Sequence, residues 1–280
     1  MEGITMSGTR TLHPVFQFAF NKRYLREVQY AGMRNYQNRK SDVLLEWYAQ
    51  QYKDQFDLTT IDRILEVGCG DGAFWKYAVG DRPFKPEIVM TDLVEKMLAH
   101  CKDNLSPLKL RAHYQPADID SLPFKPASFT AVLAHKVIYH AENPEQAIAG
   151  FQQVLRPNGF LGLAVLNQGA YQSIWRLANS INPDIPDQSL TVRFNNVDAN
   201  ETLPRYFPEI TTRTYTSTRK FVGSEAVVEY VRTHPNTQSL RLSDNFFGLF
   251  RAKVKDEIKN KGSFDCEYNS NLYLCRKKNG

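Results

Sequence analysis

The ten residues Arg63-Ile-Leu-Glu-Val-Gly-Cys-Gly-Asp-Gly72 constrain this chain more than any other stretch. A short apolar strand runs into three glycines at alternate positions, and a helix follows. Glycines there permit a tight turn and let the polar groups of a ligand approach the backbone closely. The next strand, Glu87 to Asp92, ends in an acid that stands 20 residues beyond Gly72. Asp92 is thereby placed to accept hydrogen bonds from both ribose hydroxyls of a nucleoside. These features leave the ligand ambiguous. Gly68, Gly70 and Ala73 also satisfy the dinucleotide pattern G-x-G-x-x-G/A, so NAD competes.

The rest of the chain places that loop in an α/β architecture. Residues 12–52 read as helical. Between Leu93 and Leu105 the apolar positions 93, 94, 97, 98, 101 and 105 have helical spacing. A third strand is expected near 109–116 and a fourth from Phe129 to His135. Asn143-Pro144-Glu145-Gln146 predicts a helix start, with a capping Asn, Pro at the first helical position and Gln three residues after the cap. Arg156-Pro157-Asn158-Gly159 should stop that helix, and Phe160 to Leu166 should be the fifth strand. Strands alternating with helices over 63–166 imply a parallel, doubly wound sheet. Beyond Asn167, helices are expected in 196–207, 224–233 and 243–260, a Thr-rich strand in 210–221 and a closing strand in 271–275. Segments 168–195 and 222–262 are too long for simple connections and are read as a cap. The expected division is one domain: a helical N-terminal lid (1–62), a ligand-binding core (63–167), cap segments with a sixth strand (168–262) and a closing strand (263–280).

Composition excludes several classes. Hydrophobic residues at 42% and charged residues at 23% are globular values. No apolar run approaches the ~20 residues of a membrane span, and MEGITMSGTR lacks a signal-peptide core. Cys69, Cys101, Cys266 and Cys275 form no CxxC pair, which argues against a zinc module or a disulfide scaffold, and no metal ligand is expected. A cytoplasmic protein is the expectation. The net charge of +5 is concentrated at the ends. Lys22, Arg23, Arg26, Arg34, Arg39 and Lys40 read as a solvated helix face, with an acidic substrate or carrier as the alternative. A nucleic-acid enzyme would show a denser basic stripe with aromatics interleaved.

Four further features narrow the ligand. Glu66 sits two residues before the first glycine. Ala117-Asp118-Ile119 follows the third strand, with Leu122-Pro123-Phe124 after it. The fourth strand turns into His135 to His140, and the next helix closes on Val154-Leu155-Arg156-Pro157-Asn158-Gly159. In this order and spacing, residues 63–166 resemble the class I S-adenosylmethionine-dependent methyltransferases, in the type 11 branch with the ubiquinone- and menaquinone-biosynthesis enzymes. The resemblance implies a Rossmann-like sheet of seven strands with the last antiparallel. It implies that Glu66, Gly68, Gly70 and Gly72 hold the methionine end of S-adenosylmethionine, with Cys69 packed beneath that loop. It gives the ribose to Asp92, the adenine flank to Leu93, and the adenine amino group and ring to Asp118 and Ile119. Ala134 and His135 fall where the family's chain passes the sulfonium. Tyr30 and Arg34, on an aromatic-rich N-terminal helix, are candidates for lid contacts.

The reaction so implied is methyl transfer by in-line displacement to an O, N or C atom of a small-molecule acceptor. A neutral acceptor benefits from a base poised near neutral pH, which suits histidine. His135, Tyr139 and His140 lie in the loop after the fourth strand, and His140 is the first candidate base. The sequence HKVIYH departs from the family's commoner Leu-His-His or Leu-His-Trp. Competing readings are an RNA-modifying methyltransferase, a non-catalytic S-adenosylmethionine-binding protein and a carrier-protein-bound carboxyl methyltransferase. The last is suggested by Asn167-Gln168-Gly169-Ala170-Tyr171. The tetrad (Asn/Asp)-Pro-Pro-Tyr of amino-methylating DNA enzymes is absent.

Overall fold

A strand buried on both faces is mostly apolar, and β1 (Arg63–Val67), β2 (Glu87–Asp92) and β4 (Phe129–His135) have apolar, buried middles. In the computed structural model, which describes residues 41–56, 58, 61–79, 84–187, 194–234, 237 and 240–278, these strands pair in parallel. With β3 (Arg111–Pro116), β5 (Leu155–Leu166), β6 (Glu209–Phe221) and β7 (Phe264–Arg276) they build a seven-stranded sheet of order β3-β2-β1-β4-β5-β7-β6. The last strand, β7, is antiparallel to both neighbours, as expected.

Two apolar layers cover the sheet. On one face lie α1 (Ser41–Gln55), the single turn α2 (Trp75–Ala78) and α3 (Glu95–Leu105), with α5 (Gln172–Asn179), α7 (Glu225–Thr233) and α8 (Asp244–Lys261). Their buried side chains form one cluster with Ile64, Leu133 and Leu272. On the other face, α4 (Pro144–Val154) and α6 (Asn196–Thr202) pack on Val67, Val132 and Leu163. The Asn143 side chain accepts from Gln146 N at 3.1 Å, as its sequence context suggested. No helix among the described residues is long and apolar enough to cross a membrane.

Two expected boundaries change. Residues 156–159 do not merely stop α4. The chain enters β5 at Leu155, and the four residues bulge within the strand, with Asn158 at φ 61° and a register break opposite Phe129 and Ala131. A Cβ on Gly159 would lie 2.9 Å from the carbonyl oxygens of Arg156 and Thr130, so only glycine lets the bulge close. The closing strand starts at Phe264 rather than Asn271. Asp265 and Glu267 are exposed while Phe264, Cys266 and Tyr268 are buried, a period of two that the charges obscure in sequence. Residues 12–40 of the expected N-terminal helix, with Tyr30 and Arg34, lie outside the described residues.

Candidate active site

The carboxyl ends of β1, β2 and β4 meet where the strand order reverses, the usual crevice for ligands in open α/β sheets. The loop after β1 is held by backbone bonds from Cys69 N to Thr91 O (2.8 Å) and Gly72 N to Cys69 O (2.9 Å). Gly68, Gly70 and Gly72 have φ of 67°, 56° and 71°, a region that side chains disfavour. Their surroundings differ. A Cβ on Gly68 would collide with Val137 at 2.3 Å, and one on Gly72 with Cys101 Sγ at 2.6 Å and Leu105 Cδ1 at 2.7 Å. Among the described residues, a Cβ on Gly70 would meet only Met97 Cε, at 4.0 Å. Two glycines therefore serve the protein's own packing, and the middle one faces open space.

Asp92 anchors this loop. Its Oδ2 accepts from Gly70 N (3.0 Å) and its Oδ1 from Val94 N (2.9 Å), so each oxygen keeps a lone pair for a further donor. Burial raises its pKa, and the backbone donors oppose that rise. Capture of Val94 N by the carboxylate also explains why α3 begins at Glu95 and not Leu93. Cys69 is buried, and its thiol is pushed up first by a hydrogen bond to Cys101 and then by burial, which keeps it protonated beneath the loop.

Glu66 is a buried carboxyl whose pKa is pushed up to about 8, chiefly by desolvation. Trp75 Nε1 donates to its Oε2, and His135 Nδ1 stands 4.0 Å from its Oε1. His135 is held on its other nitrogen, with Tyr52 Oη 2.8 Å from Nε2, and its ring stacks on Tyr48 at 5.2 Å between centroids. Burial lowers the His135 pKa to about 3, so the imidazole is neutral. Tyr52, Tyr48 and Trp75 were missed as site residues. The four-residue spacing of Tyr48 and Tyr52 puts both on the inner face of α1, but sequence alone reads that as core. Gly162 of β5 completes the arrangement, because a Cβ there would lie 1.9 Å from Tyr52 Oη.

The remaining expected residues fall on the same rim. Asp118 Oδ1 accepts from Asp120 N (3.1 Å), and Asp120 in turn takes Glu142 N and Asn143 N, tying the turn after β3 to the start of α4. Leu93 and Ile119 are half-buried and Ala134 fully buried at the end of β4. Tyr139 and His140 sit in a one-turn 3-10 helix, Ile138–His140, with rings 4.5 Å apart. Burial lowers the His140 pKa to about 4 and raises that of Tyr139, with Tyr268 adding to the rise. Both side chains are therefore uncharged near neutral pH.

The fold is the Rossmann-like seven-stranded sheet of solved methyltransferases. Residues 65–163 match a family model described as "Methyltransferase domain". Among known proteins, a malonyl-[acyl-carrier protein] O-methyltransferase of Erwinia pyrifoliae is 28% identical over 113 residues, covering 40% of this chain and 40% of that protein. A ubiquinone biosynthesis O-methyltransferase of Dechloromonas aromatica is 28% identical over 107 residues, covering 38% and 45%. The similarity thus spans less than half the length of these curated relatives. A solved phosphoethanolamine N-methyltransferase 2 of Haemonchus contortus, in complex with S-adenosyl-L-methionine, shares the fold at a TM-score of 0.53 and 16% identity, covering 92% of this chain and 60% of that one.

Proposed function

We propose that this protein transfers a methyl group from S-adenosylmethionine to a small-molecule acceptor. The observation that carries the reading is the Gly70–Asp92 contact beside open space, within the segment matched by the methyltransferase family model. The donor set suits the cofactor. Gly70 offers room at the backbone, Asp92 has lone pairs for two ribose hydroxyls, and Glu66 is a buried acid lacking a full cationic partner among the described residues. A cation against Glu66 would favour its ionised form and return its pKa toward the ordinary range. The bound sulfonium supplies an electrophilic methyl. Asp92 would hold the ribose, Leu93, Asp118 and Ile119 would line the adenine, and Gly68 to Gly72 would pass the methionine end.

The chain's own part in the chemistry is positioning, exclusion of water and acceptance of a proton. His140, neutral across the working range, is the candidate base, with His135 and Tyr139 as neighbours on the same loop. Its low pKa makes it a weak base, so its contribution falls at the lower end of general-base effects. His140→Ala is expected to lower turnover about 10²-fold with cofactor affinity unchanged. The acid limb of the wild-type rate attributable to this group should lie near pH 4, far below that of an ordinary histidine, because protonation removes the base. Steady-state rates on acceptor between pH 4 and 8, beside calorimetry on the same variant, check both parts. Parallel losses of rate and affinity would make His140 structural.

Calorimetry with S-adenosylmethionine, S-adenosylhomocysteine and NAD tests the cofactor reading. Asp92→Ala should weaken S-adenosylhomocysteine by tenfold or more, since hydrogen bonds to a charged group are worth roughly 1.5–3 kcal/mol. Gly70→Ala should abolish binding while the protein stays folded, because the added methyl fills ligand space and not packed core. Tight NAD binding in place of the adenosyl compounds would overturn the proposal. The Erwinia relative favours a second reading, transfer to a carrier-bound carboxylate. Methyl ester formed on a malonyl carrier protein, with none on free small acceptors, would select it.

A further inference from the structure

Beyond the last residue that β5 shares with the sheet, Leu166 opposite Ser270, β6 and β7 continue as a two-stranded ribbon to Phe221 opposite Phe264. This ribbon stands above the carboxyl edge. The loop after β5 clamps it through Asn167 N to Asn269 O (3.0 Å) and Tyr171 N to Glu267 O (2.9 Å). At its centre, facing α1 and the His135–His140 loop, is Tyr268. Its ring is buried, yet its hydroxyl has no hydrogen-bond partner among the described residues. A buried hydroxyl left unpaired costs free energy, and a ligand that supplies its partner removes that cost.

Two cations gather on this ring. The guanidinium of Arg219, from β6, lies 4.5 Å from the Tyr268 centroid and 5.4 Å from that of Tyr171. The ammonium of Lys136, the residue directly after β4, lies 5.9 Å from Tyr268. Lys136 adopts φ 54°, and its N–H is fixed to Ala164 O at 2.9 Å, so the turn that aims it is built into the sheet. Neither cation has a carboxylate within 4.0 Å among the described residues, although other basic side chains of this protein do. Glu267, the acid nearest along β7, is exposed, while its neighbours Cys266 and Tyr268 are buried on the opposite face. Arg219 and Lys136 are both half-buried. Two part-buried positive charges and one hydroxyl unpaired among the described residues, arriving from two strands and the turn after a third, have the chemistry of an anion subsite.

We infer that the acceptor carries an anionic group, a carboxylate or a phosphate monoester, held by Arg219, Lys136 and the Tyr268 hydroxyl while its nucleophilic atom faces the loop His135 to His140. This assignment of substrate class rests on the methyl-transfer reading. The Arg219 guanidinium offers paired donors to two anionic oxygens, Lys136 supplies a point charge, and Tyr268 donates one further bond.

The test uses the full chain saturated with S-adenosylhomocysteine and titrated with four probes: phenyl phosphate, phenol, 4-hydroxybenzoate and 4-hydroxybenzamide. Phenyl phosphate against phenol, or 4-hydroxybenzoate against its amide, should show at least a tenfold preference for the anion, and the arm that shows it identifies phosphate or carboxylate. Arg219→Gln and Lys136→Gln should each reduce that preference about tenfold while S-adenosylhomocysteine affinity stays at the wild-type value, which also reports that the variants fold. Equal binding of anion and neutral partner in both arms, or a preference that survives both substitutions, overturns the inference. Failure of the methyl-transfer reading is read separately, as absence of S-adenosylhomocysteine binding to the wild-type protein. The probe titrations, repeated without it, would still report whether the cation pair binds anions.

Discussion

Gly162→Ala is expected to destabilise the protein by roughly 2–6 kcal/mol and to disturb the site at the same time. The added Cβ would lie 1.9 Å from Tyr52 Oη and 2.6 Å from two of its ring carbons, all inside the sheet–α1 interface. Tyr52 is fully buried and cannot swing aside. Overpacking of this kind costs about 1–3 kcal/mol, and breaking the Tyr52–His135 hydrogen bond leaves buried polar atoms unpaired at about 1–3 kcal/mol more. Thermal unfolding should report a fall of about 2–4 °C per kcal/mol for a protein of this size. Tyr52→Phe removes the closest clashing atom, so adding it to Gly162→Ala should cost less than the sum of the single effects. Full additivity would mean that Gly162 and Tyr52 are not in contact, and that the placement of His135 by this pair is wrong.

Stability should fall steeply on acidification, and the sign follows from buried groups. His135, His140 and His234 have pKa values lowered by burial to about 3, 4 and 3. Each is neutral when folded and takes up a proton near pH 6.5 when unfolded. The unfolded chain therefore binds more protons, and the stability present above pH 6.5 is lost as pH falls below it. Glu66 works the other way. Its folded pKa of about 8 makes the folded state the proton binder between about 4.5 and 8, and Asp92 is displaced in the same direction. Three histidines outweigh the carboxyls, which leaves a net uptake of about one to two protons on unfolding. The slope is then roughly 1.4–2.7 kcal/mol per pH unit between pH 5 and 6. Urea unfolding at several pH values measures it. His234 lies away from the site, its ring 4.3 Å from that of Trp175, so His234→Phe should reduce the slope by about one proton, whatever it does to stability at pH 7. An unchanged slope would mean this histidine is protonated in the fold. A bound cofactor cation beside Glu66 should hold that group ionised and steepen the slope further.

Much of this protein is determined by local sequence. The strand–glycine–strand–acid order of residues 63–92, the Asn143 cap and the apolar periods of α3 and α4 are each decided by contacts within a few residues or by strict burial. The parallel core and its antiparallel last strand follow from them, together with a resemblance that those same residues carry. Boundaries that depend on what packs alongside were not legible. The bulge at Arg156–Gly159 exists because Thr130 of the neighbouring strand closes over Gly159, and β7 is long because β6 pairs with it far beyond the sheet. The site divides in the same way. Gly70 and Asp92 were visible because the turn that joins them is made locally, from a strand end and the glycine loop beside it. Tyr52 against His135, Gly162 beneath Tyr52, and Arg219 with Lys136 on Tyr268 join residues 49 to 132 positions apart along the chain. No spacing rule reaches that far, because only the closed tertiary packing brings such side chains within a few ångströms of each other.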